Sequence, residues 1–243
     1  MPKNFELGKY KNKKFIFKED LENDIKKQYG YKKDSSVRWK IHELEKSKTI
    51  TKINNTHFYN GYLKPFEPAL ESKELMNIKK TLTEKYSSLE IVVFESSLLN
   101  EWINHQVSKN IIFVQVEKYY TENIFNYLKE NTNVKILFEP SKDDFYRYAE
   151  NNTVVVTSIV TRSPRNLKNY TIKLEKLIVD IFSSDLIQEF ISSSEFDSLI
   201  ETLFTKYKIN IKTTLSYAKR RLLDDRVYKY IEDYIPKGAK DDR

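Results

Sequence analysis

Cysteine is absent from this 243-residue chain. Its absence excludes disulfides, thiolate zinc sites and a cysteine nucleophile together, and makes a reducing, cytoplasmic compartment the expectation. Glycine is nearly as scarce, with four residues, Gly8, Gly30, Gly61 and Gly238, no two of them close. A P-loop and a dinucleotide fingerprint need clustered glycines to approach phosphate, so neither is present in recognisable form. The three histidines, His42, His57 and His105, lack metal-ligand spacing. No stretch approaches the roughly 18 to 20 apolar residues of a membrane span. The Lys-rich start, Met1 to Lys18, has no apolar run of the secretory type. The expectations are therefore no catalytic residues, no cofactor, no metal and no membrane partner.

What the chain does have is unevenly placed charge. Residues 1–60 hold 15 Lys and Arg against 8 Asp and Glu, whereas residues 61–243 hold 27 of each. The whole excess of +7 thus lies in the first quarter. A basic field confined to one small segment is what a phosphate-binding module on a neutral body would carry.

The first ten to fifteen residues are polar and basic, as in a flexible arm. The periodicity predicts a helix from about Phe17 to Tyr29, stopped by Gly30, and a second that runs to about Lys46. Asp34, Ser35 and Ser36 are N-cap candidates for the second helix. Val37, Ile41 and Leu44, at i, i+4 and i+7, form its inward stripe. Ile50–Ile53 and His57–Tyr59 alternate as two strands around Asn54-Asn55-Thr56, whose asparagines tolerate a tight turn. Helix, turn, helix and hairpin make a winged helix-turn-helix, assigned to residues 1–65.

Gly61 to Pro68 marks a domain edge, and residues 66–243 read as a larger mixed α/β domain. After a helix from Glu71 to Tyr86, strands are expected at Leu89–Phe94, Ile111–Val116, Val134–Phe138 and Thr153–Ile159. Helices near Ser97–His105, Thr121–Lys129 and Asp143–Ala149 separate them, a spacing that implies some parallel pairing. From Leu174 onward the pattern is helical.

A groove-entering helix needs one face on its own domain and the other polar and basic. With the apolar stripe inward, Ser35, Trp39, His42 and Lys46 face out, flanked by Ser36 and Arg38. Arg38 suits a guanine edge or a phosphate, and the serines suit phosphate at the helix start. Lys32 and Lys33 precede the helix, while Lys52 and Asn54 fall on the wing, where they would contact the backbone of the duplex. The bland reading of this face is a solvated one, with Trp39 packed on the second domain.

The stretch from Tyr29 to Tyr62, containing SSVRWKIHELEKSKTITKINNTHFYNGY, resembles the winged helix that opens AbiEi-type antitoxins of type IV toxin–antitoxin (abortive infection, phage defence) systems. TSIVTRSPRN (157–166) followed by YTIKLEKLIVDIF (170–182) is similar to that family's C-terminal hallmark, and KYKINIKTTLSYAKRRL (206–222) to its closing helices. The resemblance implies a transcriptional autorepressor whose winged helix binds inverted repeats in its own promoter. It also implies that the C-terminal domain counteracts a nucleotidyltransferase toxin without a stable complex being required. The Gly-Ser motif and paired carboxylates of the toxin itself are missing. On its residues alone, LEKLIVD is a core helix, with Leu174, Leu177, Ile178 and Ile181 inward and Glu175 and Asp180 in local caps or salt bridges. Lys219, Arg220 and Arg221 form a second basic cluster, read as a solvated face.

Two alternatives stand beside this reading. One is a winged-helix transcription factor whose α/β domain senses a small ligand. The other is a metal-dependent nuclease, since Glu95, Glu117 and Glu139 each end an expected strand and would gather at one sheet edge.

Overall fold

A computed structural model describes residues 5, 7–68, 71–166 and 170–236. It is a mixed α/β chain that divides into two compact units. The first comprises Met1–Pro65, Phe204–Asn210 and Asp233–Arg243, and the second Phe66–Leu203 and Ile211–Glu232. A single cut after residue 65 would leave both later segments in the second domain. The compact units place them in the first.

The first unit opens with a 3-10 turn, Gly8–Tyr10, and a strand, β1 (Phe15–Phe17). The expected flexible arm is therefore structured from residue 8 onward, because Tyr10 and Ile16 are both 1% exposed and anchor it in the core. Helices α1 (Lys18–Tyr29) and α2 (Asp34–Lys46) follow, then β2 (Thr51–Lys52) and β3 (His57–Tyr59). The antiparallel sheet runs β1-β3-β2, with Ile16 opposite Phe58 and Thr51 opposite Tyr59. A helix–turn–helix followed by a hairpin, closed by an earlier strand, is a winged helix. Leu21, Ile25, Val37, Ile41, Leu44, Ile50 and Phe58 fill its core.

Local geometry explains the joints. Gly30 ends α1 in the left-handed conformation, φ 66°. The N-cap of α2 is Lys33, in extended backbone with no side-chain cap, so Asp34, Ser35 and Ser36 do not cap it. They fall inside the first turn, and the Lys33 carbonyl accepts from Ser36 N–H at 3.1 Å. At the other end Lys48 takes the left-handed position, φ 59°. Lys48 N–H donates to Glu45 O at 3.0 Å and Thr49 N–H to Leu44 O at 2.9 Å, a Schellman closure without glycine.

The later segments of this unit pair with its start. Lys64 N–H donates to Lys206 O and Lys208 N–H to Lys64 O, each at 2.9 Å, making a short parallel bridge that seats the buried Tyr207. The Lys14 ammonium stands 3.9 Å over the ring of Tyr234.

In the second unit α3 (Lys73–Tyr86) is capped by Ser72, which accepts from Leu75 N–H at 3.1 Å. Then come β4 (Ile91–Glu95), a 3-10 turn at Ser96–Glu101, β5 (Ile112–Val116), α4 (Thr121–Asn131), β6 (Ile136–Phe138), α5 (Lys142–Tyr148) and β7 (Val154–Ser158). The sheet order is β4-β5-β7-β6. The last three strands are parallel, and β4 is antiparallel to β5. One face, Ile91, Val93, Ile112, Val114, Val116, Val154 and Val156, packs on Leu75, Ile78 and Leu82 of α3 and on Ile124 and Leu128 of α4. Phe113 points to the other face, where it meets Phe190 edge-on at 6.3 Å.

The helical segment comprises α6 (Leu174–Ser183), α7 (Asp185–Gln188), α8 (Phe196–Lys206), α9 (Ile211–Arg220) and α10 (Asp224–Ile231). Leu174, Leu177, Ile178 and Ile181 of α6 are at most 2% exposed, as the stripe predicts. The same helix also buries Lys176 and Asp180, which form an ion pair, and Tyr217 of α9 donates to Asp180 Oδ1 at 2.9 Å. Glu195, just before α8, accepts from Asn104 N–H at 2.6 Å, His105 N–H at 3.1 Å and Ser192 Oγ at 2.8 Å. Among the described residues, no helix is long and apolar enough to cross a membrane.

Candidate nucleic-acid interface

The site is the outer face of α2 with its two flanks. Val37, Ile41 and Leu44 are 1%, 7% and 6% exposed, which fixes the helix's rotation about its axis. That rotation turns Ser35, Trp39, His42 and Lys46 outward as one row at i, i+4, i+7 and i+11, all exposed. Trp39 is 62% exposed, an unusual state for the largest apolar side chain in the unit. Arg38 is exposed on one flank of the row, and Ser36 is half-buried on the other.

The remaining sites frame this row. Lys32 and Lys33 are exposed in the turn that leads into α2, and Lys52 is exposed on β2. Asn54 also has a local role. Its Oδ1 accepts from Thr56 N–H at 2.9 Å, His57 N–H at 2.7 Å and Thr56 Oγ1 at 3.1 Å, so its side chain closes the wing turn.

The electrostatics turn on two acids that would oppose a phosphate backbone. Asp34, at the start of α2, pairs with Lys26 of α1 at 2.8 Å. The Lys26 ammonium holds its carboxyl below the usual carboxylate range, and Asp34 in turn holds Lys26 above its ordinary value. Glu43, beside the outward row, pairs with Lys40 at 3.0 Å. Burial pulls the Lys40 ammonium down, but Glu43 and Tyr29, whose ring lies 5.0 Å below it, outweigh burial and keep it above its ordinary value. Lys26 and Lys40 therefore neutralise local acids rather than face outward. Lys32, Lys33, Arg38, Lys46 and Lys52 are in no ion pair among the described residues. They are left as the charges of this face.

Sequence reasoning missed both neutralising pairs. Lys40 sits at an inward position of the stripe, where its burial followed from the periodicity. Its partner at i+3 was the available signal.

The division into units also sharpens the charge. By sequence the first unit holds 21 Lys and Arg against 11 Asp and Glu, and the second 21 against 24. The values are +10 and −3, which together give the +7 of the chain. The added positive charge is that of Lys64, Lys206 and Lys208, since residues 233–243 hold three bases and three acids.

The three strand-end glutamates do not converge. Since β4 runs antiparallel to β5, Glu95 lies opposite Ile112, at the start of β5 and the far edge from Glu117. Glu117 and Glu139 share an edge but follow strands separated by β7. Glu95 ties the fold, accepting from Ser72 N–H at 3.0 Å and Asn110 Nδ2 at 2.7 Å. No group of three His, Asp or Glu residues that could hold a metal ion occurs among the described residues.

Residues 36–237 match the family of unknown function DUF6577, and the chain belongs to that family. No curated protein matches the chain.

Proposed function

We propose that this protein is a cytoplasmic DNA-binding regulator that reads duplex DNA with the outer face of α2 and steadies the complex with the turn before it and the wing. The carrying observation is that outer face. It presents an aligned polar and aromatic row and five exposed cations in no ion pair among the described residues, with Asp34 and Glu43 paired to Lys26 and Lys40. A helix fixed by a buried stripe, with such a face outward, has the chemistry of a major-groove reader. The +10 of the unit supplies the sequence-independent attraction to phosphate.

The resemblance of residues 29–62, 157–182 and 206–222 to AbiEi-type antitoxins makes the operon's own promoter repeats the proposed target. The corresponding role is autorepression in a type IV toxin–antitoxin system, with the second unit opposing a nucleotidyltransferase toxin. Action is then by binding rather than catalysis.

The test is fluorescence anisotropy with a duplex from the region upstream of the gene and a scrambled duplex of equal length. A preference for the native duplex of roughly 10³-fold or more at physiological salt is the expected result. Equal affinity for both duplexes would refute the regulator reading.

A further inference from the structure

The second unit carries a basic groove that the DNA reading does not use. It lies beyond the carboxyl end of β7, where Val160 forms one wall. Ser183 at the end of α6 and Asp185 at the start of α7 form another, and Arg220 at the end of α9, Arg221 in the turn after it and Arg226 of α10 line the third side. The groove is shallow and open to solvent, with a volume of about 530 Å³.

The arginines are held rather than free to sweep. Arg220 Nη1 donates to Arg162 O at 2.7 Å, Arg221 Nη2 to Ser183 Oγ at 2.7 Å, and Arg226 Nη1 to Phe182 O at 3.3 Å. A guanidinium has five N–H donors, so each keeps most of its fork unspent. None is in an ion pair among the described residues, and Asp185 is the one carboxylate on the described lining. Three guanidiniums against one carboxylate leave a local excess of about +2, the complement of a phosphate monoester near neutral pH. The surrounding unit is mildly acidic, −3 by sequence. An isolated positive crevice in an acidic body suits a compact anion rather than a polyanionic duplex, which needs an extended basic track.

We propose that this groove binds a compact phosphorylated metabolite, with Arg220, Arg221 and Arg226 gripping its phosphate. Isothermal titration calorimetry on the full chain with pyrophosphate, ribose 5-phosphate and ATP, against ribose as the uncharged control, tests it. At least one phosphorylated probe should bind saturably with a dissociation constant below about 1 mM, and ribose should not bind. Arg220→Ala/Arg226→Ala, two exposed positions, should weaken that binding at least about tenfold, with an unchanged melting temperature. Arg220→Lys/Arg226→Lys serves as the second variant. It keeps the charge but loses the fork, and should fall between the two. No saturable binding by any phosphorylated probe would overturn the proposal, as would equal binding by the alanine variant. Loss of duplex DNA affinity in the alanine variant without any metabolite binding would assign the groove to DNA and overturn it too.

Discussion

If α2 and its flanks bind duplex DNA, the binding must weaken with salt by an amount the structure sets. Lys32, Lys33, Arg38, Lys46 and Lys52 are the exposed cations of the face that are in no ion pair among the described residues. Each phosphate neutralised releases condensed counterions, so log K should fall against log salt with a slope of about −0.9 per contact, or about −4.5 for five. Raising salt from about 50 to about 200 mM then costs roughly 500-fold in affinity. Lys52→Ala removes one phosphate contact from an exposed strand position. Its slope should drop to about −3.6, and the same salt step should cost roughly 150-fold, equally for native and scrambled duplexes. Arg38→Ala should behave differently if Arg38 reads a base, with about 1–3 kcal/mol of the preference for the native duplex disappearing. Lys80→Ala, exposed on α3 in the second unit, is the control and should change neither quantity. The assay is an anisotropy titration at four salt concentrations for each variant. A wild-type slope near zero, or one unmoved by Lys52→Ala while Lys80→Ala moves it, would refute the reasoning.

The stability of the framework offers three further tests. Lys176→Met strands the Asp180 carboxylate in the core, where the pair's side chains are 2% and 4% exposed, and should cost about 3–5 kcal/mol in urea unfolding. Removing Asp180 and the Tyr217 hydroxyl as well should restore most of that, and a single-variant loss under about 1 kcal/mol would show the pair is not desolvated. Gly30→Ala meets no atom within 4 Å, so its cost is the left-handed backbone alone, φ +66°. That is about 1 kcal/mol after the gain in unfolded-state entropy, and no loss at all would mean α1 does not end there. Glu195 is held at about 2, against an ordinary 4.5, by the Ser192 hydroxyl and, against the opposing effect of burial, by the Asn104 and His105 amides. Because the folded value is the lower one, its contribution is complete above pH 4.5 and is lost as pH falls toward 2. The gap in urea midpoint between wild type and Glu195→Gln should close over that window, and a gap independent of pH would contradict the assignment.

Much of the fold is legible in local pattern. The apolar stripe Val37, Ile41 and Leu44, Gly30 after Tyr29, and the alternation around Asn54-Asn55 all act over a few residues, so the winged-helix elements follow from the chain read in order. The four strands of the second unit are hydrophobic runs of the right length for the same reason. Where the reading departed from the structure, the deciding partner was far away in sequence. The first ten to fifteen residues look like a polar arm until Tyr10 and Ile16 find the core built by α1 and α2. Glu95 looks like a neighbour of Glu117 until β4 is seen to run antiparallel. The LEKLIVD string shows its apolar stripe, but Tyr217, which accompanies the buried pair, lies 37 residues beyond Asp180.

The sequence by itself determined which residues of α2 turn outward, because helical period and one apolar stripe leave a single rotation. It also placed the basic excess at the N-terminal end, since charge is additive along a chain. Only the tertiary structure decided how that charge is used. Pairing Asp34 with Lys26 and Glu43 with Lys40 requires α1, α2 and their side chains in place. Returning residues 204–210 to the first unit requires a bridge between Lys64 and Tyr207, 143 positions apart. Bringing Val160 and Ser183 beside Arg220, Arg221 and Arg226 requires the end of β7, the end of α6 and the α9–α10 region, separate in sequence, to meet. Local chemistry is written in order along the chain, while opposition and convergence of charge depend on distances that only folding sets.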